Sequence, residues 1–314
     1  MIEHQVFTDL TKNGKPRPWK KNKLDNLTYA EYLLMLNYRK ATNVKDCGNV
    51  LRFKKTKDGF LKLYQTWFCK SRLCPLCAWR RSMKNSNQLI QILNEAHREY
   101  PNGCFLFLTL STKNTYSDTL KPEMQKMGRS VSKLFQYKKI SKNLLGYVRS
   151  TEITVNHDDG SYNQHMHVLL FVSSRYFKGS ENYISQAEWT KYWRKAMKLD
   201  YQPMVNVEAV HPSKSKNDLL AGAKETAKYQ VKSADYITDD KQRDLQVTDD
   251  LEQALSHTRA ISYGKLFKTI RKKLQLEDED DLVNTDDPNE DSVLTDAEIV
   301  VAKWNYELQN YFIS

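Results

Sequence analysis

The chain has 314 residues, 40% of them hydrophobic, enough for folded domains with a real core and too many for a disordered polymer. Lys and Arg total 49 against 38 Asp and Glu, a formal net charge of +11. No apolar run approaches the roughly 20 residues a membrane span needs, and the opening MIEHQVFTDL has no apolar stretch of a signal peptide, so the cytoplasm is the expected location.

The charge is distributed unevenly. Residues 277–298 hold 11 acids and no base, and 299–314 are neutral, so residues 1–276 carry +22. Such an excess calls for a polyanionic partner, of which nucleic acid is the commonest. An acidic membrane surface fits less well, because no basic amphipathic anchor stands out. The acidic stretch itself is expected to be a solvated linker.

In chain order, TKNGKPRPWKKNK (11–23) has six basic residues, two prolines and no acid, the composition of a flexible phosphate-binding arm. TYAEYLLMLNYRKA follows as a helix. Next come KDCGNVL and WFCKSRLCPLCAWRR, which bring Cys47, Cys69, Cys74 and Cys77 together through a C-x4-C and a C-P-L-C knuckle. Closely spaced cysteines with turn-forming neighbours let four thiolates reach one tetrahedral ion, and a structural Zn is expected. Unrelated buried thiols are the alternative. Cys104 lies in the apolar run CFLFLTLS and is read as a core residue. Arg72, Arg80 and Arg81, with Trp67 and Trp79, would give the module a basic, aromatic DNA-binding surface.

Beyond the knuckle, Leu89, Ile92, Leu93 and Ala96 recur at helical spacing. CFLFLTLS is a strand, LKPEMQKMGRSVSKLFQ a helix, LGYVRSTEITVN a strand, DDGS a turn and YNQHMHVLLFV a strand. SQAEWTKYWRKAMKL is helical, MVNVEAV a strand and NDLLAGAKETAKYQVKS a helix. This β-α-β-β-α-β order predicts an α+β fold, a mostly antiparallel sheet with helices on one side. ISYGKLFKTIRKKLQL is expected as a basic helix and AKWNYELQNYFIS as a late strand. The chain divides into a basic arm and helix (1–44), a four-cysteine module (45–82), the α+β domain (83–240) and a C-terminal region with the acidic linker (241–314).

Strand alternation points His165 and His167 to one side. If Asp159-Gly160 is a two-residue hairpin turn, Glu152 opposes His167 and joins that face, while Ile153, Val155, Met166 and Val168 form the apolar face. Two imidazoles and a carboxylate with open positions suit a catalytic Mn or Mg. A longer symmetric loop keeps this parity and a single bulge breaks it; the alternative is that Glu152 is an ordinary surface carboxylate. On the helix AGAKETAKYQVKSADY, Glu225 and Tyr229 share a face, flanked by Lys224, Lys228 and Lys232. A phenol with a pKa of about 10 is a poor nucleophile unaided. A polarised phosphate and nearby lysines ease its attack.

HMHVLL, the upstream FLTLS, the knuckle CKSRLCPLCAWRRS and the helix ETAKYQVK occur in the order found in one family. Over roughly residues 45–236 the chain resembles the rolling-circle replication initiators of small bacterial plasmids, within the HUH endonuclease superfamily. The resemblance implies a ferredoxin-like core, a metal at His165 and His167, and Tyr229 as nucleophile four residues after Glu225. Tyr236 is a second tyrosine without a glutamate at the matching offset. The implied activity is strand-specific nicking of plasmid origin DNA, recognised double-stranded and cut single-stranded. It would leave a 5′-phosphotyrosine and a 3′-OH, with Glu225-assisted hydrolysis closing the round. No G-x-x-x-x-G-K-[ST] loop is present, so a host helicase and DNA polymerase are expected partners, and a homodimer is an open assembly state. The rival readings are a transposase of the same superfamily and a non-catalytic zinc-dependent DNA-binding regulator.

Overall fold

The protein is described by a computed structural model covering residues 5–210, 223, 225–227, 230–276, 281–285 and 298–314. In chain order the elements are α1 (Trp19–Met35), α2 (Ala41–Asp46), β1 (Val50–Lys55), β2 (Leu61–Gln65) and α3 (Pro75–Glu99). β3 (Cys104–Ser111), α4 (Ser117–Leu134), α5 (Lys138–Ser141), β4 (Leu144–Val155), β5 (Tyr162–Val172) and α6 (Gln186–Met197) follow. β6 (Val205–Val210), α7 (Lys241–Leu255), β7 (Ile261–Lys265), α8 (Leu266–Lys273), β8 (Ile299–Asn305) and β9 (Asn310–Ile313) complete the series. Among the described residues, no helix is long and apolar enough to cross a membrane. The fold is α+β with two antiparallel sheets. Its segments group into two compact units, each drawn from separate stretches of chain: Met1–Asn87 with Tyr236–Asp249 and Asp278–Ser314, and Gln88–Asp235 with Asp250–Glu277.

The second unit holds a five-stranded antiparallel sheet in the order β6-β3-β5-β4-β7, with the histidine strand β5 at its centre. Because side chains alternate, β5 feeds two cores. Met166, Val168, Leu170 and Val172 pack with Met127, Val131 and Leu134 of α4 and with Trp189, Trp193 and Met197 of α6. Leu169 and Phe171 pack with Leu89, Ile92, Leu93 and Ala96 of α3 and with Phe267 and Ile270 of α8. Helices therefore cover both faces, where the alternation pattern suggested one. The near-continuous apolar run after His167 is the sequence mark of a strand buried on both sides. α6 is set by a capping box in which Ser185 accepts from the Glu188 N–H and the Glu188 side chain bonds back to the Ser185 N–H.

The β4–β5 connection decides how the site is assembled. It is a loop over Asn156–Ser161, not a two-residue turn: Val155 pairs with Tyr162 and Glu152 with His165. The Asn156 side chain accepts from the Asp158 N–H, and Asp159 from the Ser161 N–H. Gly160 supplies the left-handed residue at φ +72. The longer loop moves the partner of Glu152 by two residues relative to the expected His167. A shift of two preserves parity, so all three side chains stay on one face.

The first unit contains the sheet β2-β1-β8-β9. The C-terminal stretch expected as one strand is a hairpin, with Trp304 and Tyr311 buried and Tyr306 and Leu308 exposed at and beside its turn. The basic N-terminal stretch is no loose arm. The Trp19 indole N–H donates to Asp9 (2.8 Å), the Phe7 N–H donates to the Tyr311 carbonyl, and Phe7 stacks on Phe53. Within α1, Lys23 is buried and its ammonium donates to the carbonyls of Lys45 and Cys47, each at 2.7 Å. The central part of the acidic stretch is docked as well. Arg80 donates to the carbonyls of Leu282 and Val283 (3.0 and 2.7 Å), and Lys84 to that of Asp281 (2.8 Å). Leu282 and Thr285 are buried there.

Candidate functional site

β5 carries His165 and His167 on the side facing away from α4 and α6, and β4 supplies Glu152 beside them. His167 Nε2 lies 2.9 Å and His165 Nε2 3.2 Å from one oxygen, Glu152 Oε2. The imidazole planes are nearly perpendicular, at 89°. Glu152 and His167 are buried and His165 is partly open. Two cis ligands at about 2.1 Å from an octahedral ion stand about 3 Å apart, so the three atoms are spaced as a divalent site requires. The residues fit Mn or Mg.

β3 orients the pair. Thr109 lies opposite His167, with its Oγ1 3.4 Å from His167 Nδ1, and the Phe107 ring stacks on the imidazole at 5.4 Å. With Nε2 as the ligating atom, Nδ1 keeps its proton and donates to Thr109, which fixes the tautomer and the ring plane. Sequence reasoning marked β3 as a strand but not these roles. The signal was available, since Thr109 is the one polar side chain inside FLFLTL.

Ala223, Glu225, Thr226 and Ala227 are helical, and Glu225 Oε1 lies 3.6 Å from His167 Nε2 with its side chain 41% exposed. A second carboxylate, the fourth side chain of the group, thus stands beside the cluster. Tyr229, Lys224 and Lys228 lie outside the described residues. Lys232 is described and exposed. Tyr236 is fully buried, its ring edge-on to Tyr29 at 5.9 Å and its hydroxyl donating to the Leu73 carbonyl. That hydroxyl is committed to the packing of its unit.

The four expected cysteines converge. Cys47 and Cys77 sulfurs are 3.5 Å apart, and Cys69–Cys77 and Cys74–Cys47 are each 3.6 Å. Thiolates held at about 2.3 Å from a tetrahedral Zn stand about 3.8 Å apart, so the cluster matches that geometry closely. The Asn26 amide donates to Cys74 Sγ (3.3 Å) and the Cys69 N–H to Cys47 Sγ (3.4 Å), contacts that suit sulfur bearing negative charge. Burial opposes ionisation of Cys74, but the neighbouring Cys47, Cys69 and Cys77 outweigh it and hold its thiol well below the usual range. Cys104 stands apart in β3.

The basic residues expected on the DNA side divide. Arg81 is half-buried and donates to the Lys70 carbonyl (3.2 Å), Arg72 is half-buried, and Trp67 is exposed. Arg80 is a correction. It is 1% exposed, its guanidinium lies over the rings of Trp19 and Trp79, and its N–H groups serve the 282–285 carbonyls and hydroxyl. The knuckle helix turns it inward, so it is a structural cation.

A family profile described as Replication protein matches residues 60–312. The chain is 62% identical to "Protein rep" of Lentilactobacillus hilgardii, covering 99% of this chain and 100% of that protein. It is 56% identical to "Protein rep" of Lactiplantibacillus plantarum (98% and 99% covered) and 43% identical to that of Streptococcus pneumoniae serotype 2 (strain D39 / NCTC 7466) (99% and 96%). No solved structure matches significantly. The pairwise matches span nearly the whole chain and the profile most of it, and the chain belongs to the replication protein family.

Proposed function

We propose that this replication protein initiates rolling-circle replication of a plasmid in the cytoplasm by nicking one origin strand exposed as single-stranded DNA. The observation that carries the reading is the convergence of Glu152, His165 and His167 on one point of the central strand, with Glu225 at 3.6 Å from His167. The trio would hold Mn or Mg, which polarises the scissile phosphate when bound. Tyr229 Oη would attack phosphorus, giving up its proton as the new P–O bond forms and the bond to O3′ breaks. The products are a 5′-phosphotyrosine and a 3′-OH that a host polymerase extends behind a host helicase. Thr109 and Phe107 hold the His167 ring at its angle, and Lys232 stands ready to pair with the DNA backbone. The four cysteines would hold a structural Zn.

Glu225 takes the second part. A carboxylate beside the cluster can accept a proton from water directed at the phosphotyrosine, hydrolysing it when the origin is regenerated. Tyr236, the second tyrosine that the sequence offered, is buried with its hydroxyl on the Leu73 carbonyl, which favours hydrolysis over transfer to that residue. Incubation with Mn and a single-stranded origin oligonucleotide, followed by a denaturing gel, tests the reading. A covalent adduct is expected, and its absence, or its persistence in Tyr229→Phe, overturns it.

A further inference from the structure

Behind the histidine face lies a second feature that the nicking reaction leaves unused. On β4, Thr151 pairs with Met166 and points away from Glu152, as does Arg149. On that reverse face, α4, β4 and the turn before β7 enclose a cleft of about 360 Å³. Its polar lining includes Arg129 from α4, Arg149 and Thr151 from β4, and His257, Thr258 and Arg259 from the turn. No carboxylate lines it.

Three guanidiniums and an imidazole converge there without an acid. Among the described residues, no hydrogen bond or ion pair engages the side chains of Arg129, Arg149 or Arg259. Arg149 is half-buried, and its guanidinium lies beside Gly128 of α4, 3.6 Å from where a Cβ would stand. Burial, reinforced by the like charge of Arg259 and opposed by Tyr147, pushes the Arg149 guanidinium below its ordinary value. A half-buried cation that feels the like charge of a second arginine is held at a cost that a bound anion lowers. Planar, five-donor arginines match phosphate oxygens bidentately. The cleft is at the small end of ligand pockets, sized for phosphate groups rather than a bulky organic molecule.

From this cleft we infer a second nucleic-acid site: Arg129, Arg149 and Arg259 bind backbone phosphates of the DNA strand outside the scissile linkage, on the face of the sheet opposite the histidines. The inference rests on the nicking reading for the identity of the strand. It implies that a long origin strand touches both faces of the sheet, while a short one occupies the histidine face alone.

The test uses the full chain, the double charge reversal Arg129→Glu with Arg259→Glu, and the lysine pair at the same positions as a control that preserves charge. Both arginines are exposed, which spares the core. Fluorescence anisotropy compares single-stranded origin oligonucleotides of about 8 and about 30 nucleotides across a salt series. The charge reversal should weaken the long strand at least tenfold and lower the slope of log affinity on log salt by about 1 to 2, with little change for the short one. The lysine pair should keep most of the slope. Equal long-strand affinity and slope in the charge reversal and the wild type would overturn the inference. So would calorimetry in which dAMP or inorganic phosphate binds the wild type but not the reversal, with DNA affinity unaltered. Adduct formation on the short strand reports separately. A wild type that forms no adduct, yet loses long-strand affinity on charge reversal, would sink nicking and keep the phosphate site.

Discussion

Glu152 is in register with His165, yet its Oε2 lies closer to His167 Nε2, at 2.9 Å against 3.2 Å. One carboxylate oxygen thus serves two imidazoles two residues apart on the neighbouring strand. That shared oxygen makes the three side chains one cluster, proposed to ligate one metal ion. His167→Ala should cut cleavage of single-stranded origin DNA by about 100-fold or more, and Glu152→Gln should raise the Mn needed for half-maximal cleavage at least about tenfold. Double-stranded origin binding should survive in both, because phosphate contacts elsewhere supply it. Wild-type cleavage by His167→Ala in limiting Mn would place the site elsewhere.

Purified protein should hold about one Zn per chain, since four thiolates close one tetrahedral site. Cys74→Ser should lose it and lower the thermal midpoint of the unit that contains Cys47, Cys69 and Cys77. Cys104→Ser should retain it. Elemental analysis decides, and an unchanged Zn content in the Cys74 variant would contradict the assignment.

Arg80→Ala should destabilise the protein by about 2–4 kcal/mol, because it removes a buried cation and leaves the carbonyls of Leu282 and Val283 without their donor. Arg81→Ala, at a more exposed position, should cost under about 0.5 kcal/mol. Urea unfolding distinguishes the two. Near-equal midpoints would mean the Arg80 contacts contribute no net stability.

Tyr229→Phe should form no covalent adduct at all. Glu225→Ala should still nick within about threefold and form the adduct, yet fail to release unit-length circles and accumulate longer displaced strands. If its circles match the wild type, Glu225 is only a neighbour of His167. A loss of nicking equal to that of His167→Ala would instead make Glu225 a fourth member of the ligand set.

What the sequence disclosed followed from short-range geometry. Period-two alternation placed His165, His167 and Glu152 on one face, and that survived an error in the loop because a shift of two residues conserves parity. The error itself came from side chains: Asn156 and Asp159 cap their own backbone and lengthen the turn. The cysteine cluster was legible because its members lie within one short stretch plus one outlier. Arg80 was not, since nothing local tells an inward arginine from the outward Arg81 next to it. The β1–β8 pairing was equally hidden, as strand partners so far apart leave no local pattern. The arginine cleft needed the fold, because α4, β4 and the turn before β7 are separate in sequence.

That β1–β8 pairing also sets a timetable for biosynthesis. Residues 50–54 are made early, and their partners 299–303 emerge roughly 250 residues later. The last segment of the five-stranded unit, Asp250–Glu277, is already outside the ribosome by then. The five-stranded sheet can therefore close while β1 still presents a bare edge. A purified chain truncated before β8 should show protease protection across β3–β7 and none across β1–β2, because β1 gains its second partner only when β8 and β9 are present.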